Sequence, residues 1–297
     1  MTMEKNPKIH DALFKWLITS FTEEFFAHYF PEIRIGKYSF LDKEFISRYE
    51  ALKESLKGDL FLAMETEIEG ELRDIVIQIE HQSEKKDIGR RVYEYSCYAW
   101  LLRGKPVWSM VVYTDDAVWK KTVPASFWYA FDSRNKKQFH CFDVIKIKSE
   151  KSGGLIEKHS LLCKLLALKA DDRGTDPEEL VYKIYQAVSE QKDRLSDDQL
   201  LLSEQWIGAY KKISDERLDV IRKEVRMEFI ATTITEHIRH QSEIQGKTEG
   251  KIEGKIEILE NLYIQGILSK ERFEEMVAPL RKKLSEIATG KIENRIS

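Results

Sequence analysis

Two acids and an amide stand at the open end of a strand pair. Gly58 precedes DLFLAMETEI, Glu69-Gly70 follows, and ELRDIVIQIEHQ comes next. Two β-rich runs around a short Gly-bearing connection predict a hairpin. Counting outward from a two-residue Glu69-Gly70 turn pairs Ile68 with Glu71, and Asp59 with Glu80. Directly opposed residues share a face, with Cβ atoms ~4.5–5.5 Å apart. Gln82, two further along, points the same way. Two carboxylates so close repel, and one should take up its proton more readily than usual. A divalent cation between them would remove the repulsion, and oxygen ligands suit Mg²⁺ or Mn²⁺. A longer loop or a bulge would shift this register. The plainer alternative is a turn aspartate and a solvated strand end at Glu80, His81 and Gln82.

The flanking elements argue for a site. VIQI before Glu80 reads as strand core. Asp87 can cap a helix through about Arg103, with Ile88, Val92, Tyr95, Ser96, Ala99 and Leu102 on one side. Gly104 can end that helix, and Lys105-Pro106 marks a break. VWSMVVYT then reads as a buried strand, which completes a βαβ crossover with parallel flanking strands. Polar groups at the C-terminal end of such a strand sit where α/β ligand sites usually lie.

Upstream, Pro7 suits a first helical position behind a capping Asn6. Ile9, Ala12, Leu13, Trp16 and Leu17 make one apolar face. Thr22 is expected to cap a second helix that Pro31 stops. Residues 38–49 read as strand, as does the stretch 128–148, with a turn at 133–136. Composition shifts at 148–159 (KSEKSGGLIEKH), where a domain boundary is expected. Beyond it the β-rich runs give way to helical ones. Gly246, Gly250 and Gly254 punctuate a Gly-Lys-Glu repeat. A glycine at every fourth place weakens a helix by ~1 kcal/mol each relative to Ala. The expected division is therefore 1–150, a helical domain at 151–245, and a repeat segment with a helical tail at 246–297.

Several separated motifs occur in the order of a known family. Gly58-Asp59-Leu60, Ile79-Glu80-His81-Gln82-Ser83, Gly89-Arg90-Arg91 and Tyr95 resemble the recombination-promoting nuclease and PD-(D/E)XK transposase-like family. His10-Asp11-Ala12-Leu13-Phe14-Lys15, Phe30-Pro31-Glu32 and Phe40-Leu41-Asp42-Lys43-Glu44 fit the same pattern. The resemblance spans about residues 7–150. It implies an α/β fold with a restriction-endonuclease-like αβββαβ core and a helical C-terminal region, acting as a metal-dependent DNA endonuclease. Asp59 then stands at the motif aspartate, Glu80 at the (D/E), and Gln82 at the lysine. Glutamine can orient water but brings no cation, so more of the charge stabilisation falls to the metal. Mg²⁺ or Mn²⁺ is expected on Asp59, Glu80 and the His81 carbonyl, with Glu44 as a further carboxylate. Lys85, Lys86, Arg90 and Arg91 are candidate phosphate contacts, although cations at a helix start oppose its dipole. Recombination or mobile-element chemistry would be linked indirectly, through strand breaks. The rivals are a catalytically degenerate interaction protein on the same fold, and an RNA nuclease.

Composition bounds these readings. The 297 residues allow about two domains. Apolar residues at 42% and a net charge of −3 exclude global disorder and a global basic field. Any DNA affinity must therefore be a local patch. No run approaches the ~18 apolar residues of a membrane span, and no signal-peptide pattern opens the chain. Cys97, Cys141 and Cys163 are odd in number and far apart. The expected setting is reduced and cytoplasmic, with no membrane, with DNA as partner, and with a homodimer through the helical C-terminal region. His237 and His240 lack a third ligand. Lys120-Lys121 and 134–137 read as solvated turns, Trp100, Trp108, Trp119 and Trp128 as packing groups, and His81 as a packing or surface residue.

Overall fold

The computed structural model describes residues 7–41, 59–130, 136–226, 273–274 and 277–282, with backbone only at 7–9, 59, 130, 136 and 138. It is a mixed α/β structure. Helices α1 (Pro7–Ser20) and α2 (Thr22–Tyr29) lead into strands β1 (Arg34–Phe40), β2 (Asp59–Ile68) and β3 (Glu71–Gln82). Helix α3 (Gly89–Arg103) then crosses to β4 (Val107–Tyr113). Strands β5 (Ser126–Ala130) and β6 (Lys136–Cys141) form a separate ribbon, and β7 (Asp143–Lys146) rejoins the main sheet. Sheet order is β1-β2-β3-β4-β7. β1 and β3 each pair antiparallel with β2, and β3, β4 and β7 run parallel.

The β2–β3 hairpin has the register that its turn dictates. Glu69 (φ 53°) and Gly70 (φ 80°) are both in the left-handed region, as a two-residue type I′ turn requires. Ile68 pairs with Glu71 and Asp59 with Glu80, without a bulge. Alternation then sorts β3. Ile75, Ile77, Ile79 and His81 lie on one face and Val76, Gln78, Glu80 and Gln82 on the other. Every residue from Ile75 to His81 is buried, because helices cover both faces of this strand.

On one face lie α1 and α2. Leu13, Phe14, Leu17, Ile18, Phe25 and Phe26 are buried. The inward face of α1 differs from the expected one: Ala12 is exposed and Phe14 and Ile18 point inside. The larger groups take the interior because they remove more apolar area from water. Thr22 does not cap α2. Only Phe21 separates the two helices, and the Thr22 hydroxyl donates back to the Ile18 carbonyl at 2.9 Å. On the other face, Phe61, Val76, Tyr95 and Ala99 make one cluster, and Ile88, Val92, Val111, Tyr113, Val123 and Phe142 make another. The β5–β6 ribbon packs on α3, with Tyr93 stacked on Phe127 at 5.2 Å. Gly104 closes α3 in the left-handed conformation (φ 61°). Asp87 sits one residue before the N-cap, Ile88, and accepts from the Gly89 amide at 3.0 Å.

At 148–159, strands give way to helices, and the stretch is built into the structure. A short helix α4 (Ser152–Ile156) buries Ser152, Leu155 and Ile156, and the Ser152 hydroxyl donates to the Ala167 carbonyl at 2.7 Å. Helices α5 (Leu161–Leu166), α6 (Pro177–Gln191), α7 (Asp197–Tyr210) and α8 (Asp215–Glu224) follow. α7 packs on α1, and α5 on α2. The buried Trp206 donates to the Leu165 carbonyl at 2.8 Å. Residues 1–227 form one compact unit and 228–297 a second. Within the second, Phe273, Val277 and Leu280 pack together at helical spacing. Glu44, His237, His240, the turn at 133–135 and the Gly-Lys-Glu repeat lie outside the described residues. No described helix is long and apolar enough to cross a membrane.

Candidate active site

Glu80 is buried at the C-terminal end of β3, with 1% of its surface exposed. A solvated strand end is therefore excluded for this residue. It pairs in register with Asp59 on one side and with Val111 of β4 on the other. The Asp59 side chain lies outside the described atoms. Gln82 donates from Nε2 to Glu80 Oε1 at 2.6 Å. Arg91, on the first turn of α3, places Nη2 3.2 Å from the same oxygen and its guanidinium 5.2 Å from the Tyr95 ring centre. Glu80 Oε2 is buried and has no hydrogen-bond partner among the described residues.

Burial pushes the Glu80 carboxyl up to about 7, against the opposing pull of Arg91, Gln82 and Lys15. An ionised carboxylate out of water needs its lone pairs satisfied, and among the described residues this one has its partners on one oxygen. The bare oxygen is a hard donor inside the sheet layer, the kind of atom that a hard divalent cation takes. The chemistry of Glu80 and of its register partner Asp59 suits such an ion. Among the described residues no three His, Cys, Asp or Glu side chains converge as a metal cluster, and Asp59 and Glu44 fall outside that set.

His81 serves the opposite face. Its ring stacks on Phe14 at 4.6 Å. Nδ1 lies 3.0 Å from Asp11 Oδ1, and Nε2 2.8 Å from the Thr114 hydroxyl. Burial raises the Asp11 carboxyl, but hydrogen bonds from His81 and Lys15 outweigh it and hold it below the usual carboxylate value. The Thr114 amide donates to the Gln82 carbonyl at 2.9 Å, continuing the β3–β4 ladder past the acid. Below Glu80 on its own face, the Ser109 hydroxyl donates to Gln78 Oε1 at 2.8 Å, with His140 Nε2 2.9 Å from Ser109 Oγ.

The four basic candidates divide. Lys85 is exposed, donates to the Lys121 carbonyl at 2.7 Å and lies over the Trp119 ring. Lys86 is exposed, and its carbonyl accepts from the Tyr113 hydroxyl at 2.7 Å, which ties the 83–88 loop to the sheet. Arg90 is exposed and pairs with Glu94 at 2.8 Å along the helix. Arg91 is turned inward to Glu80. That pairing was missed in sequence, as were Asp11–His81 and Gln78–Ser109–His140. The available signal was the adjacency of two arginines at a helix start, where one faces out and its neighbour faces the sheet. Of the tryptophans expected as packing groups, Trp108 packs on Phe30 and Trp119 on Tyr113, while Trp100 and Trp128 are exposed.

Comparison with known protein families, curated proteins and solved structures found no match.

Proposed function

We propose that the protein is a metal-dependent endonuclease that hydrolyses DNA phosphodiester bonds at the Asp59–Glu80–Gln82 site. One observation carries the reading. A buried acid with one bare oxygen stands in register with an aspartate, beside an amide, where a central strand ends. The element order supports it: two helices, three strands in antiparallel pairs, a crossover helix and a parallel strand are compatible with the αβββαβ order that the resemblance implies. So does the family resemblance over residues 7–150.

Asp59 and Glu80 would hold Mg²⁺ or Mn²⁺, with Glu44 and the His81 carbonyl in support. Bound there, the ion would polarise a phosphate oxygen and lower the pKa of a water. Gln82 already donates to Glu80 through its nitrogen, which leaves its amide oxygen to accept from that water and orient it. Lys85, Lys86 and Arg90 would contact the flanking phosphates, which position the duplex without reading its sequence. A homodimer through the helical C-terminal region would supply two sites, one for each strand.

The test is nicking of plasmid DNA with Mg²⁺ by the full chain beside an Asp59→Ala/Glu80→Ala double variant. Loss of cleavage in a folded double variant supports the reading, and equal activity overturns it. A second reading is a nuclease-fold scaffold without catalysis. It is favoured by the Arg91–Glu80 pair, which neutralises the acid with no ion at all. Absence of Mg²⁺- or Mn²⁺-dependent cleavage would select it. Parallel assays on single-stranded RNA distinguish an RNA nuclease.

A further inference from the structure

We infer that Arg91 is an exchangeable occupant of the Glu80 site, which holds the acid in the absence of an ion and releases it when a DNA phosphate draws the guanidinium away. The inference rests on the nuclease reading of that site and adds its regulation.

Three observations combine. First, Glu80 is 1% exposed while the Arg91 side chain is 36% exposed, so the guanidinium spans from an interior acid to solvent. Second, the contact is one-sided. Arg91 and Gln82 both use Oε1, and Oε2 has no partner among the described residues. A guanidinium can grip both oxygens of a carboxylate in a fork, and here the second oxygen is left for another ligand. Third, Arg91 follows the exposed cations Lys85, Lys86 and Arg90. A phosphate gathered by those groups arrives beside an arginine that faces the acid. Guanidinium matches phosphate geometry as well as carboxylate geometry.

A guanidinium that moves to phosphate uncovers a carboxylate charge, and a divalent ion then binds more tightly. By linkage the ion must favour DNA equally. The ion would thus be held firmly only when substrate is present. Removing the Arg91 charge also makes Glu80 bind protons more tightly, which opposes metal binding. The divalent ion carries twice the proton's charge and gains about twice as much from the same change. The net effect therefore favours the metal.

The test is Mn²⁺ binding by calorimetry to the full chain at about pH 8, a readout independent of cleavage. Arg91→Gln should bind Mn²⁺ about tenfold more tightly than wild type. Arg91→Met repeats this arm should the amide disturb folding, which melting curves will show. Arg91→Lys, which keeps the charge, should stay near wild type. A short phosphorothioate duplex should tighten Mn²⁺ binding to wild type more than to Arg91→Gln, in which only its direct contact with the ion remains. Equal or weaker binding by both charge-removing variants, with wild type binding normally, overturns the exchange and leaves the nuclease reading standing. An unchanged duplex effect in Arg91→Gln overturns the phosphate step. No Mn²⁺ binding by wild type or any variant overturns both readings.

Discussion

His81 Nδ1 and Asp11 Oδ1 lie 3.0 Å apart, joining the strand that carries Glu80 to the first helix across seventy residues of chain. Glu80 faces one helix layer and His81 the other, so this pair anchors the site strand from behind.

Asp11→Asn should therefore weaken the fold and loosen the site together. A hydrogen bond to a charged group contributes about 1.5–3 kcal/mol, and the asparagine keeps part of it. The expected loss is about 1–2 kcal/mol by denaturant unfolding at neutral pH. The Asp11 carboxyl is held below its ordinary value. Its contribution is present above that ordinary value and is lost as pH falls through the lowered one. The gap between wild type and variant should close in strong acid. A gap that widens there would contradict the assignment.

Glu80 has the opposite sign. Its folded value, about 7, lies above the ordinary 4.5. Between those pH values the unfolded chain loses a proton that the folded chain keeps, so folding weakens as pH rises. Above about 7 the full cost of an ionised interior acid applies, about 3 kcal/mol. Glu80→Gln, which resembles the protonated acid, should be more stable than wild type at pH 8 by up to about that amount, a figure already net of the Arg91 attraction. The advantage should vanish below about pH 4.5. Melting temperatures across that range decide it.

At the hairpin turn, Glu69 occupies a left-handed position where asparagine is favoured. Glu69→Asn should stabilise by about 0.5 kcal/mol. Gly70→Ala, at φ 80°, should cost about 1 kcal/mol or more. Neither residue approaches the site, so cleavage by Glu69→Asn should match wild type. A change in its metal requirement would mean that the turn does not set the register alone.

Gln82→Ala removes the donor on Glu80 Oε1 and, on the endonuclease reading, the amide that would orient water. Positioning of this kind is worth about 10²–10⁴-fold. Turnover should fall by about 10²-fold with KM for DNA little changed. A rise in KM alone would make Gln82 a binding residue.

Local and long-range features differed in how far sequence could reach them. The Asp59–Glu80 register follows from a two-residue turn and alternation, both local rules, and Gly104 with Lys105-Pro106 ends α3 for equally local reasons. Thr22 was misread because the preceding helix, one residue away, offers its hydroxyl a carbonyl. Helix α4 was hidden by Ser152-Gly153-Gly154, whose poor propensity is overridden by burial of Leu155 and Ile156. The inward turn of Arg91 depends on how α3 is rotated over the sheet, and Asp11–His81 on where α1 lies across it. Neither rotation is encoded by a local pattern. For Glu44, sequence alone speaks.

β3 is hydrogen-bonded along both sides, to β2 and to β4. It is the central strand of the five, so Glu80 cannot be uncovered by fraying at a sheet border. Entry to the acid must come from above, through side-chain swing or a small lift of α3. The slowest-exchanging amides of the protein should consequently lie next to its most rearrangeable charge.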